Sequence, residues 1–407
     1  MHILILGATG FIGNHIFHSL ATKHKVSIAG RQAIGSYPHW HFLDFTKEED
    51  WNSILDGVDL VINCIGSIEG NLTQIQRTGP IHFYKLCTQK KIRILHISAI
   101  GADSTNPKTE FLQTKKETDD FLLNYENAKI LYPAIVIGKE GKSTQFFTEL
   151  ASLPIAFLPK NLNPPTIHIR QLTSLVSDVV ENFANYPKQI FAVAKEESFL
   201  ELLKKINPRK RITVNIPLFL PKLVFTIFPK LKIGIFSKDM FTLLEDLPTE
   251  KYYNHPANFT NLSFKDPIQE KKTTDLIDPK ELIQSQSIPY FLGLISVSFI
   301  WIWSAISSLI SWDLSNQIMK EIIPNDLISA FSIYLGCFVD IVLGITMFYE
   351  KLRSPVLKLQ ILIIATYTII LSIFAPHYWL HTLGVIGKNI PLLALIYYLL
   401  QKENETK

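Results

Sequence analysis

The chain has 407 residues, 47% of them hydrophobic and 19% charged, with a formal net charge of +4. That length implies two or three domains, and so small a positive balance, with no interleaving of basic and aromatic residues, excludes nucleic acid as a partner. Three cysteines, Cys64, Cys87 and Cys337, form no CxxC pair and read as packing residues in a strand, a helix and a membrane span, so no disulfide framework is expected.

The first element is an apolar strand, residues 2–6, with no basic cluster before it, so it reads as folded structure rather than a signal peptide. It runs into Gly7-Ala8-Thr9-Gly10-Phe11-Ile12-Gly13 and a helix over about 11–20. Glycine, lacking a Cβ, lets backbone approach a diphosphate, and the free N–H groups at the positive end of the helix supply the counter-charge. Gly7, Thr9, Gly10, Phe11, Ile12 and Gly13 are therefore candidate cofactor-binding residues. The next strand, 25–29, ends in Gly30-Arg31, where an acidic residue would bond the ribose 2'-hydroxyl of NAD. Arg31 instead matches a 2'-phosphate, so NADP(H) is the preferred cofactor and NAD(H) a possible one; the alternative is a solvated loop arginine. Asp44, after the apolar segment 39–43, stands where it can contact adenine or cap a helix beginning at Lys47.

Apolar runs then alternate with helical patterns: a strand at 58–64, a helix at 72–90, a strand at 92–97, a helix at 110–124 and a strand at 129–132. This alternation predicts an α/β fold with a doubly wound parallel sheet. Ligands in that architecture bind at the strand ends, which makes Gly66-Ser67 and Ser98-Ala99 candidate site positions or plain turns.

The glycine loop, Ile97-Ser98-Ala99-Ile100-Gly101-Ala102-Asp103 and Phe111-Leu112-Gln113-Thr114-Lys115 together resemble the atypical or extended short-chain dehydrogenases, the NmrA-like group, over about residues 1–270. The stretch 165–172 is similar to the strand and helix that enter the family's smaller substrate region, here about 165–264 with the basic segment included. The resemblance implies a Rossmann-type sheet in which Ser98 orients the substrate oxygen and Lys115 holds the nicotinamide ribose. The family's tyrosine, four residues before the lysine, is Phe111 here, and phenylalanine has no proton to give. Tyr125 and Tyr132 lie too far along the chain to inherit the role in ordinary geometry. Two readings stay open: an oxidoreductase with Ser98 and Lys115 catalytic and another proton donor, or a domain that binds NADP(H) and passes the signal on without turnover. Sugar-nucleotide epimerisation stands third, because it needs the missing tyrosine.

From Glu201 to Asp239 no acidic residue intervenes, while Lys204, Lys205, Arg209, Lys210, Arg211, Lys222, Lys230, Lys232 and Lys238 alternate with apolar side chains. The segment suits an anionic membrane surface, or helices capping the substrate pocket with their lysines solvated. A polar linker, 271–289, leads to four apolar stretches at 291–312, 327–349, 357–375 and 380–400, each of spanning length. Lysines before the first stretch, Lys351, Arg353 and Lys358 around the second loop, and Lys402 and Lys407 in the tail put both termini in the cytoplasm. Asp340 and Lys388 are expected at similar depths, where they pair or find water. His377, Trp379 and His381 read as interfacial anchors, and no cluster has metal-ligand spacing.

Residues 290–401, through Pro376-His377-Tyr378-Trp379-Leu380 and Gly387-Lys388-Asn389-Ile390-Pro391-Leu392, resemble the DoxX-like four-helix membrane domains, some of which belong to quinone-dependent sulfur oxidation. The resemblance implies a redox or lipid setting. The expectation for the whole chain is a membrane-anchored NAD(P)(H)-binding oxidoreductase in the inner membrane of a bacterium, acting on an apolar small molecule, lipid or quinone.

Overall fold

The computed structural model describes residues 1–47, 49–68, 70–153, 155–159, 163–208, 212–217, isolated positions between 218 and 268, and residues 287–380 and 386–405. These residues fall into two compact units, an N-terminal α/β unit and a C-terminal helical one. The basic side chains Arg209, Lys210, Arg211, Lys222, Lys230, Lys232 and Lys238, the linker as far as residue 286, and His381 lie outside the described residues.

In the N-terminal unit, β1 (His2–Leu6), β2 (Lys25–Gly30), β3 (Trp40–Phe42), β4 (Leu60–Asn63), β5 (Arg93–Ile97) and β6 (Ala128–Pro133) precede β7 (Ile135–Ile137), β8 (Ile155–Pro159) and β9 (Pro165–His168). Strands β10 (Gln189–Ala192), β11 (Lys195–Glu196) and β12 (Ile212–Ile216) follow. Seven strands form one sheet in the order β10-β6-β5-β4-β1-β2-β3, and every pairing in it is parallel. The doubly wound Rossmann-type sheet expected from the alternation is therefore present. Two smaller sheets, β11-β9-β7 and β12-β8, stand beside it.

Side chains alternate across the sheet and so serve two cores. Ile3 and Ile5 join Leu60, Ile62 and the helices α1 (Phe11–Leu20) and α5 (Ile169–Glu181). Leu4, Leu6 and Val61 face the opposite core with α2 (Gly79–Gln89) and α3 (Glu110–Leu123). Helices α4 (Lys142–Ser152) and α6 (Phe199–Ile206) complete the unit. Lys205, one of the basic residues assigned above to a surface or a cap, instead forms ion pairs with Glu197 and Asp266, as does Lys195.

The helix expected over 72–90 begins with a π-turn at Gln74–Thr78 before α2. Pro80 has no N–H to give the carbonyl of Gln76, four residues back, and that carbonyl accepts from Thr118 Oγ1 at 2.6 Å instead.

The C-terminal unit comprises α7 (Ser287–Ile310), α8 (Trp312–Ile322), α9 (Asp326–Thr346), α10 (Glu350–Phe374) and α11 (Asn389–Glu405). Among the described residues, three helices are long and apolar enough to cross a membrane: Pro289–Ile310, Asp326–Thr346 and Lys351–Phe374. The fourth expected stretch, 380–400, is described only in part, as Leu380 at the end of a 3-10 turn at Pro376–Trp379 and as α11, which has 17 residues. Helix α7 packs closely on α9 because Ser298 and Gly344 are small: Ser298 Oγ donates to Gly344 O at 2.8 Å, and a Cβ on Gly344 would come within 2.8 Å of Ile302. At the other end of α7, Glu403 accepts from Tyr290 OH at 2.7 Å and pairs with Arg353 at 3.1 Å.

The stretch 313–326, between the first two apolar stretches, is not an open connection: α8 fills most of it, because Trp312 and Met319 fall on one helical face and pack against Ala305, Ile333 and Cys337. Asp340, for which pairing with Lys388 or a wet setting stayed open, takes the Ser304 hydroxyl on α7 as a hydrogen-bond partner, and no Asp340–Lys388 ion pair is found among the described residues.

Candidate functional site

Strand order reverses between β1 and β4, so the crevice at their C-terminal ends is where this fold opens for a ligand. Gly7 leaves β1 at φ +76°, a left-handed conformation that strains any residue with a Cβ. Its N–H donates to Ala29 O at 2.9 Å and its carbonyl accepts from Gly10 N at 3.1 Å, which closes the loop. A Cβ on Gly13 would lie 2.3 Å from Gly7 O, so α1 can approach β1 only with glycine there. Gly10 is the N-cap of α1, no side chain caps it, and the first turn carries no acidic residue. The opening amides of α1, including those of Phe11, Ile12 and Gly13, have no intrahelical partner and form a positive helix end suited to a diphosphate. A cradle of this shape fits a dinucleotide.

Arg31 follows β2 directly and is exposed. Asp44 Oδ1 accepts from Thr46 N at 3.0 Å and from Thr46 Oγ1 at 2.7 Å, a turn two residues long in place of the expected helix cap from Lys47. Burial works against its charge, but those bonds, with Arg31 and Lys47 nearby, hold the Asp44 carboxyl below its ordinary value.

Across the crevice, Ser98 and Lys115 come together. Lys115 reaches from α3 and donates to Ile97 O at 3.2 Å. It stands 5.8 Å from the centre of the Phe111 ring, and a Cβ on Gly66 would lie 3.7 Å from its Nζ. Ser98 Oγ donates to Asp119 Oδ2 at 2.6 Å. Asp119, four residues after Lys115 on the same face of α3, was missed in the sequence, yet it is the centre of a buried polar network. Tyr132 OH, on β6, accepts from Gln189 Nε2 at 3.1 Å and donates to Asp119. Asn63 Nδ2 donates to Tyr84 OH at 2.8 Å, so the single hydroxyl proton goes to His96 Nδ1, also at 2.8 Å. Neutral His96 then carries its proton on Nε2, which faces Asp119 Oδ1 at 3.5 Å.

Burial dominates the electrostatics. It pulls the Lys115 ammonium well below the ordinary lysine value, against the raising influence of Asp119. It pushes the Asp119 carboxyl up, against the Ser98 hydrogen bond and the Lys115 charge. Burial, and then Lys115, keep His96 neutral far below its usual value. The Cys64 thiol, just past β4, is pushed up to about 12, so it is an uncharged neighbour of Lys115. Tyr132 is fully buried behind Asp119, and Tyr125 donates to Ile92 O at 3.0 Å, so neither hydroxyl takes the place left by Phe111.

A family model described as the NAD dependent epimerase/dehydratase family matches residues 3–136, and one described as the DoxX-like family matches residues 298–397. The chain thus joins a region similar to the epimerase/dehydratase family to one similar to the DoxX-like family. Among solved structures, a nucleoside-diphosphate-sugar epimerase from Staphylococcus aureus superposes with a TM-score of 0.55 at 15% identity, covering 66% of this chain and 98% of its own. A UDP-glucuronic acid 4-epimerase from Bacillus cereus, in complex with NAD, gives 0.45 at 18% identity over 53% of this chain and 88% of its own. A UDP-N-acetylglucosamine 4-epimerase from Bacillus cereus gives 0.45 at 15% identity over 62% and 99%. Likeness at such identities is likeness of fold. No curated protein matches the sequence.

Proposed function

We propose that the chain is a membrane-anchored NAD(P)(H)-binding oxidoreductase that acts on an apolar or membrane-associated substrate. The observation that carries this reading is the glycine cradle of Gly7, Gly10 and Gly13 lying across one crevice from Lys115 and Ser98. When bound, the nicotinamide group supplies or accepts the hydride. Lys115 would hold its ribose and keep a positive charge beside the reacting oxygen. Ser98 Oγ would contact that oxygen and move a proton between it and Asp119, whose raised affinity for protons suits the exchange. This relay stands where Phe111 leaves no acid. Four spans with both termini in the cytoplasm would place the crevice in reach of cytosolic cofactor, and tethering would raise the local concentration of a membrane-borne substrate.

Titrating the full-length protein with NADPH and NADH, followed by fluorescence, tests the cofactor; adding membrane extract and watching for oxidation tests the chemistry. Lys115→Met should lower oxidation by about a hundredfold or more, the usual cost of losing one group that stabilises charge on the reacting oxygen. Arg31→Ala should cost roughly tenfold in NADPH affinity, one unit of about 1.4 kcal/mol, and leave NADH unchanged. Equal losses for both cofactors would remove Arg31 from the 2'-phosphate. Phe111 favours a second reading, a module that senses NADP(H) and signals to the helical domain. Tight binding with no oxidation across many extracts would select it. Sugar-nucleotide epimerisation, the activity named for the Bacillus cereus neighbours, fits less well without a tyrosine at 111.

A further inference from the structure

The helical unit holds a cavity of about 380 Å³, bounded by α7, α8, α9, α10 and α11. Its volume falls within the roughly 300–1,000 Å³ of small-molecule sites. Most of the wall is apolar, and α8 contributes Ile318, Met319 and Ile322 to it. One lining side chain is acidic: Asp340, six residues before the end of α9 at Thr346 and so about 9 Å along the helix from it. A charge at that depth is costly unless a cation or water meets it. The partner that Asp340 has is the neutral Ser304 hydroxyl, which fills one of the roughly four lone-pair sites of a carboxylate. No lysine, arginine or histidine lines the cavity, and Lys388, next to the lining Asn389, is exposed.

A second oxygen stands close by. Gly336 lies one turn before Asp340 on the same face of α9 and also lines the cavity. A Cβ on Gly336 would come 3.7 Å from the hydroxyl of Tyr367 on α10, and the Asp340 charge acts on Tyr367. Carboxylate and phenol therefore border the same part of the cavity, and glycine at 336 keeps the space beside them open.

These features choose among occupants. A hydrocarbon would fill the volume and leave the carboxylate without a counter-charge, and so would a neutral alcohol. A resident metal ion needs several ligands, whereas the described residues hold no group of three His, Cys, Asp or Glu placed for one. An ammonium group on an apolar body meets every demand. Its charge neutralises Asp340, its N–H groups donate to the carboxylate and to the Tyr367 oxygen, and its hydrocarbon lies against the apolar wall.

We propose that this cavity binds a cationic amphiphile, an amine with an apolar body whose ammonium group pairs with Asp340 beside the Tyr367 hydroxyl. The site belongs to the helical unit alone and stands whether or not the nucleotide crevice turns over a substrate.

The test uses full-length protein in nanodiscs of zwitterionic phosphatidylcholine, which do not themselves attract a cation by charge. The probes are radiolabelled 6-phenylhexylamine and its neutral counterpart 6-phenylhexan-1-ol, with binding to empty nanodiscs subtracted. The amine should bind saturably and at least about tenfold more tightly than the alcohol. Asp340→Asn keeps the shape of the side chain and removes its charge, so amine affinity should fall at least about tenfold while the alcohol is unaffected. Tyr367→Phe should weaken the amine severalfold. Met319→Trp, which fills the cavity from α8 without altering Asp340 or Tyr367, should block both probes and keeps the test decisive if Asp340→Asn fails to fold. Equal affinity of native protein for the two probes, or amine binding unchanged in the Asp340→Asn or the Met319→Trp protein, would overturn the proposal.

Discussion

Asp119→Ala should lower the stability of the N-terminal unit by about 1–3 kcal/mol for each buried donor that it leaves without an acceptor. The substitution leaves the Lys115 ammonium without its counter-charge and takes the acceptor from the hydroxyls of Ser98 and Tyr132. Asp119→Asn preserves the shape and one acceptor oxygen, so it should cost less than half as much. The decisive comparison is Asp119→Ala combined with Lys115→Met. If charge pairing is the cause, the second change restores part of what the first removed, with a coupling of about 0.5–3 kcal/mol; strict additivity would refute the pairing. Melting of the N-terminal unit, followed by heat or urea, reads the native protein, Asp119→Asn, and Asp119→Ala, Lys115→Met and their combination.

The pH dependence has a fixed sign. The Asp119 carboxyl is raised above its unfolded value, so the stability it contributes is present below about pH 4 and declines as pH rises through the folded value. Lys115 is lowered, so its burden is present at acid pH and is relieved as pH rises toward the ordinary lysine range. The difference in melting temperature between native protein and Asp119→Asn should therefore shrink from pH 4 upward to neutrality. A difference that grew over that interval would mean that hydrogen bonding to the carboxylate outweighs its burial.

Much of this architecture was legible because its signals are local. The strands His2–Leu6, Lys25–Gly30 and Arg93–Ile97 are continuous apolar runs that only a sheet buried on both faces accepts, and they were placed within about two residues. The glycine loop was legible because Gly7 and Gly13 meet steric demands that no other residue satisfies. The polar network was not, because it depends on register between distant segments. Asn63, His96 and Tyr132 become neighbours only when β4, β5 and β6 pair in order, and Asn63↔His96 is one rung of that ladder. Its one local trace was a set of polar residues, Asn63, His96 and Ser98, at the ends of otherwise apolar strands, with Asp119 one helical turn beyond Lys115. Helix α8 was missed for a related reason, since its apolar face has meaning only once α7 and α9 are side by side.

Gly10→Ala and Gly13→Ala should separate folding from cofactor binding. At Gly10 the backbone is extended, φ −79° and ψ 164°, and an added Cβ meets nothing nearer than Gly7 O at 3.4 Å, an ordinary contact. The fold should tolerate it, with melting unchanged within about 0.5 kcal/mol. A methyl group there nevertheless stands at the uncapped end of α1, where a diphosphate must approach the amides, so NADPH and NADH affinity should fall by roughly tenfold or more, about 1.4 kcal/mol. At Gly13 the added Cβ meets Gly7 O at 2.3 Å, Gly7 C at 2.9 Å and Ala8 Cα at 3.0 Å. All three are backbone atoms, so relief requires α1 to move away from β1, at the roughly 1–3 kcal/mol typical of overpacking. Gly13→Ala should therefore lose stability and affinity together. The pair is informative because a cradle that only joined a strand to a helix would show the Gly13 effect and not the Gly10 one. Full nucleotide affinity in a normally folded Gly10→Ala protein would place the diphosphate elsewhere.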